Sequence, residues 1–186
     1  MRTAANNYQK GADPVGEWYL HSESAHRDPT VIEAYTQLQA ETDHLYTLLT
    51  RDDCPWGTRV VFTLCGQPYE SDEELICAAR TNGILEITSA VAVGERLHPL
   101  LDCEFGGAFD RFRAVHDLLG HARSGFGFDL ADECAAWSVQ DRLHSGLARC
   151  ALATELYGVN AARHIGGEAP DLRALLLAPS GLHSSM

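Results

Sequence analysis

His116 and His121 lie five positions apart in the sequence His-Asp-Leu-Leu-Gly-His, and this pair constrains the fold more than any other feature. Apolar residues recur near the helical period from Phe109 to Leu119, which predicts an amphipathic helix that contains His116. On a regular α-helix of about 3.6 residues per turn, side chains five positions apart diverge by roughly 140°. The two rings can therefore meet only if the helix loosens at Gly120 or contains a π-type bulge, a distortion that is frequent at functional sites.

Two imidazoles that converge with one carboxylate form the ligand set that holds Fe(II) on one face and leaves the opposite positions open. Two later glutamates could supply that carboxylate. Glu155 is flanked by Leu152 and Leu156, and a carboxylate in such apolar surroundings should be paired or coordinate a metal. Glu133 lies at the border of an apolar stripe on its own predicted helix and is the competing candidate.

The segment His116-Asp117-Leu118-Leu119-Gly120-His121 resembles the His-Glu-Leu-Leu-Gly-His of the pterin-dependent aromatic amino acid hydroxylases. The later segment Ala151-Leu152-Ala153-Thr154-Glu155-Leu156-Tyr157-Gly158 is similar to that family's Thr-Val-Glu-Phe-Gly around its iron-binding glutamate. The resemblance implies His116, His121 and Glu155 as iron ligands, with reduced pterin as a possible electron donor. The chain departs from the family pattern at Asp117, where the family has glutamate, and at Ala122-Arg123, where it has Val-Pro.

We therefore predict a mononuclear non-heme Fe(II) monooxygenase that uses O₂ on a small aromatic or amino-acid-like substrate. Asp117 and Glu133 are the candidate catalytic carboxylates beside the metal; Asp117 shares a helix face with His121 at i, i+4. Arg96 lies in a stretch that is similar to the family's arginine for the substrate carboxylate. Three aromatic residues near the motif are candidate walls of the substrate pocket: Phe126, Trp137 and Tyr157.

Two other interpretations stay open at this stage. If Glu133 and Glu155 both face the histidines, the site could be that of a di-iron carboxylate oxidase, although no Glu-x-x-His pair occurs from Phe109 onward. Alternatively, the chain could be a non-catalytic binding or regulatory module, with or without a stabilising metal. The helix signatures of zinc hydrolases are absent from the sequence.

Composition and length fit one globular domain over residues 1–186, since 45% of the residues are hydrophobic. A net charge of -12 argues against a nucleic-acid surface, which needs clustered cations. Residues 1–14 are polar and predict a flexible N-terminus, and no apolar run is long enough to cross a membrane. The six cysteines are dispersed, which favours reduced thiols and a cytoplasmic location.

The pattern of apolar residues and caps predicts a mainly α-helical α+β fold. A small β-sheet in the N-terminal half would pack with a helical half that carries the metal motif. Strands are predicted at 59–65 and 84–90, and helices at 29–49, 71–82, 109–122, 129–144, 147–163 and 171–178.

Overall fold

The predicted mainly helical α+β architecture is confirmed by a computed structural model, which describes residues 2–55, 57–64, 66–91 and 97–178, with side chains from residue 11 onward. The elements are α1 (Arg2–His21), α2 (Pro29–Leu49), β1 (Arg59–Thr63), α3 (Asp72–Cys77), β2 (Ile84–Thr88), α4 (Ala108–His116), α5 (Leu130–Asp141), α6 (Ala148–Ala153) and α7 (Val159–Gly166). Three π-helical turns continue the α-helices: Ala78–Asn82 follows α3, Asp117–Arg123 follows α4, and Thr154–Gly158 joins α6 to α7.

The sheet consists of β1 and β2, which pair in parallel with Arg59 opposite Ile84. Parallel strands need a crossover connection, and α3 with its π-helical turn supplies it. Helix α3 begins after Ser71, whose hydroxyl accepts a hydrogen bond from the Glu74 backbone N–H at 3.3 Å. The connection ends at Gly83 with φ of 63°, a left-handed conformation that glycine adopts without strain.

The π-helical turn Asp117–Arg123 lies between two hydrophobic clusters. On one side, Leu118 and Leu119 belong to a cluster with the sheet residues Leu85 and Ile87. On the other side, a larger cluster is formed by α2, α5 and α6 and contains the buried residues Tyr35, Leu38, Trp137, Leu152 and Tyr157. Because the leucines of the turn are held in the sheet cluster, its histidine, His121, faces Glu133 of α5.

Gly120 allows this turn to approach α5 closely. A Cβ atom at Gly120 would lie 2.8 Å from the Cβ of Ala136 on α5, closer than two carbon atoms can pack. The absence of a side chain at this position therefore sets the separation of the two elements that carry the site.

The flexibility of residues 1–14 stays a prediction, and the structure gives this segment a helical backbone from residue 2 onward. Helix α1 begins at Arg2, and Ala12 is completely buried in the helical cluster. Helix α1 packs along α7, where a Cβ at Gly16 would lie 2.6 Å from the Ala161 carbonyl oxygen. The polar composition of this segment conceals a helix because close packing through glycine and alanine leaves little apolar signal.

Residues 171–178 are irregular, so the predicted helix there is wrong. The backbone N–H of Ala174 donates to Ser24 Oγ at 3.1 Å, and that of Leu177 donates to Thr154 Oγ1 at 2.9 Å. A helix would need these amides for its own hydrogen bonds. Side chains from distant parts of the chain therefore hold the segment in an irregular form that its local sequence does not reveal.

Cys54, Cys77, Cys134 and Cys150 are free thiols. Among the described helices, none combines the length and apolar character needed to cross a membrane.

Candidate metal centre

The two histidines of the motif meet because the helix changes its winding between them. His116 is the last residue of α4, and His121 lies in the π-helical turn that follows. Hydrogen bonds from residue i to i+5 in a π-helix bring residues five positions apart to the same face. The Nε2 atoms of the two rings lie 3.1 Å apart, and the ring planes are at 87° to each other. The predicted helix distortion is thus confirmed.

Glu133 of α5 completes a group of three buried residues. Its Oε2 lies 3.1 Å from His116 Nε2, and its Oε1 lies 3.8 Å from His121 Nε2. Helix α5 begins after Asp129, whose carboxylate accepts the Asp132 backbone N–H and places Glu133 in the first turn. One ligand atom from each of the three residues lies within 4.8 Å of the other two, so the group could hold a metal ion.

The outer nitrogens of both rings are anchored by hydrogen bonds. His116 Nδ1 donates to Gln140 Oε1 at 3.1 Å, and His121 Nδ1 donates to the Phe126 carbonyl oxygen at 2.9 Å. Phe128 also packs edge-on against the His121 ring at 4.9 Å. A bond at Nδ1 fixes the orientation of an imidazole and leaves Nε2 as the ligand atom, as is usual for metal-binding histidines.

The charges of the group favour a cation at its centre. Burial lowers the pKa of His116. The hydrogen bond and the negative charge of Glu133 outweigh this effect and raise the pKa to about 8. Burial raises the pKa of Glu133, but the hydrogen bond and charge of His116 outweigh this effect and leave the pKa lowered. Without a metal, a proton on His116 balances the carboxylate; a divalent ion would displace that proton and take over its role.

Glu155, the glutamate that the resemblance implies as a ligand, is not part of this group. It is buried on the π-helical turn Thr154–Gly158, where its Oε1 accepts hydrogen bonds from Tyr35 Oη at 2.5 Å and from His98 Nε2 at 3.0 Å. Glu133, predicted as a catalytic or supporting carboxylate, lies in the group that could hold a metal instead.

Both glutamates line one cavity of about 680 Å³, together with His116, His121 and Asp117. This volume is within the range of small-molecule sites. Three phenylalanines contribute apolar walls and two arginines contribute charge: Phe109, Phe112, Phe128, Arg113 and Arg163. Burial raises the pKa of Asp117, although the charges of His116, His121 and Arg113 oppose this. The predicted catalytic residue Asp117 lies on the same cavity wall as the two histidines.

The three aromatic residues predicted to bind substrate are not among the residues that line the cavity. Trp137 and Tyr157 stack on each other at 5.6 Å in the helical core and do not belong to the cavity wall. Phe126 contacts the site through its backbone carbonyl oxygen, which accepts the hydrogen bond from His121 Nδ1. Arg96 lies outside the described residues.

Sequence reasoning missed Gln140, Tyr35 and His98. Gln140 could have been found, because it follows Glu133 by seven positions, two turns along one face of α5. Tyr35 and His98 are distant in sequence from Glu155, and only the tertiary fold shows that they contact it.

Comparison with protein-family models, with curated proteins and with solved structures gives no match for this chain. The candidate metal site therefore rests on the arrangement of the chain's own residues, and the similarity to the hydroxylases remains one of sequence motifs.

Proposed function

We propose that this protein is a mononuclear non-heme Fe(II) oxygenase whose metal is held by His116, His121 and Glu133. The observation that carries the proposal is the convergence of two Nδ1-anchored imidazoles and one carboxylate on a common point. Two histidines and one carboxylate with open positions are typical of oxygenase iron, whereas structural zinc sites usually supply a fourth protein ligand.

All three ligands line the 680 Å³ cavity, so the open coordination positions would face a space that can hold a substrate. Fe(II) in such a site supplies the redox chemistry of O₂ activation. The protein supplies orientation: Phe109 and Phe112, whose rings lie 6.1 Å apart, form an apolar wall for a flat substrate. We propose a small aromatic or amino-acid-like molecule as the substrate.

Asp117 is the candidate proton donor and acceptor of the reaction. It lines the cavity next to His116, and burial raises its pKa, which extends the protonated form to higher pH. Inserting one oxygen atom of O₂ into a substrate also consumes two electrons and two protons and releases water. A reduced pterin is the electron donor that the resemblance implies, and its involvement is a separate question for the assay.

Oxygen uptake by the Fe(II)-loaded protein tests this proposal. We expect uptake to accelerate when an accepted aromatic amino acid or amine is added, because the open positions become productive once a substrate is oriented beside them. The panel is run with and without reduced pterin, and His121→Ala is the blank. Iron-containing protein that shows no substrate-stimulated uptake across the panel would contradict an oxygenase and favour a metal-stabilised binding protein.

A further inference from the structure

Glu155 is a buried carboxylate on the cavity wall that the metal group does not use. Its exposed fraction is 5%, and its two hydrogen-bond donors, Tyr35 and His98, are each 1% exposed. Both donors bind the same oxygen, Oε1. Glu155 lines the cavity, and within the described part of the chain its second oxygen, Oε2, accepts no hydrogen bond.

The partners of Glu155 orient it without neutralising it. The backbone N–H of Leu100 donates to His98 Nδ1 at 3.4 Å, so the proton of a neutral His98 lies on Nε2 and points to Glu155. Tyr35 donates through a neutral hydroxyl, and burial together with the charge of Glu155 raises its pKa. Two neutral donors thus hold the carboxylate in place.

Two arginines line the same cavity, Arg113 and Arg163. Among the described arginines and lysines, none forms an ion pair with Glu155. Because burying a carboxylate without a cationic partner is costly, the site favours a ligand that brings a positive charge.

We propose that Glu155 is the subsite for a primary ammonium group of the substrate, whose apolar body lies against Phe109 and Phe112. This inference rests on the proposed function and specifies its substrate class. The ring centroids of Phe109 and His98 lie 6.4 Å apart, and Phe109 and Phe112 both line the cavity. An apolar wall therefore adjoins the Glu155 carboxylate, which His98 contacts. A second metal ion fits less well, because the Nε2 proton of His98 points to Glu155 and leaves only the carboxylate as a protein ligand.

The test compares 2-phenylethylamine with 2-phenylethanol, which has nearly the same shape but no charge, by calorimetric titration of protein with measured metal content. We expect the amine to bind the wild type at least about tenfold more tightly than the alcohol, as a charge-assisted hydrogen bond predicts. Glu155→Gln, which keeps the acceptor oxygen for Tyr35 and His98, should abolish this preference. Glu86→Gln, at another acid of the cavity wall, should retain it.

Equal affinity for amine and alcohol in the wild type, or no amine binding at all, would overturn the inference. Retention of the preference in Glu155→Gln with its loss in Asp117→Asn would also overturn it, by assigning the ammonium to Asp117. Loss of the metal in Glu155→Gln, or two metal ions per wild-type chain, would show that Glu155 binds metal. A wild type without any metal would refute the proposed function, but the amine preference could still be measured.

Discussion

His116 Nε2 lies 3.1 Å from His121 Nε2, and each ring donates its Nδ1 proton to an oxygen of the protein. If both rings were neutral, two nitrogen lone pairs would face each other in a buried site with the Glu133 carboxylate beside them. Such an arrangement is stable only with a positive charge between these atoms. A proton on His116 can provide that charge, and so can a metal ion.

The first prediction concerns the pH dependence of metal-free stability. The pKa of His116 is about 8 in the folded protein and near 6.5 when unfolded. Because the folded pKa is the higher one, the stabilisation is complete below pH 6.5 and is lost as the pH rises through about 8. We expect a loss of about 2 kcal/mol in the free energy of unfolding from this residue.

Urea unfolding of metal-free wild type and His116→Gln at pH 6 and pH 9 measures this contribution. The difference in stability between the two proteins should shrink on going from pH 6 to pH 9, since only the wild type loses a proton there. A difference that stays constant across this interval would mean that His116 is not the residue that carries the proton.

The second prediction separates the two glutamates. Glu133→Gln should lower metal affinity by more than about 100-fold, because it removes the only carboxylate of the ligand group. Glu155→Gln should change the affinity by less than about tenfold, since its hydrogen bonds lead to Tyr35 and His98 rather than to the ligands. Competition with a chelator of known affinity gives both values, and the reverse order would restore Glu155 as the ligand.

The sequence contained the histidine pair, the need for a helix distortion and the two candidate carboxylates, but it could not choose between the carboxylates. Both Glu133 and Glu155 occupy apolar helical surroundings, which is all that periodicity reveals. Their different partners, His116 for one and Tyr35 with His98 for the other, depend on how α2, α5 and the loop before α4 pack together. Tertiary contacts also determine the irregular conformation of residues 171–178, whose backbone N–H groups donate to distant side chains.

The third prediction tests the close approach at Gly120. Gly120→Ala would place a Cβ 2.8 Å from that of Ala136 and push α5, with Glu133, away from the histidines. Helix propensity alone would make alanine about 1 kcal/mol more stabilising than glycine at this position. We expect the clash to outweigh this gain, so that Gly120→Ala lowers both stability and metal affinity.

Ala136→Gly in the same chain provides the matched rescue, because it removes the atom that the new methyl group meets. The double variant should regain metal affinity relative to Gly120→Ala alone. Thermal unfolding with and without metal follows both properties, and an unchanged affinity in Gly120→Ala would show that this contact does not set the geometry of the site.

The most direct test of the central claim is the metal content of the purified protein, measured by elemental analysis after reconstitution with Fe(II) under anaerobic conditions and removal of unbound ions. We predict about one iron per wild-type chain and none in folded His121→Ala. His144→Ala serves as the control, because His144 is also a buried histidine and lies outside the ligand group. It should retain the iron. Full iron content in folded His121→Ala, or no iron in the wild type, would contradict the metal centre described above.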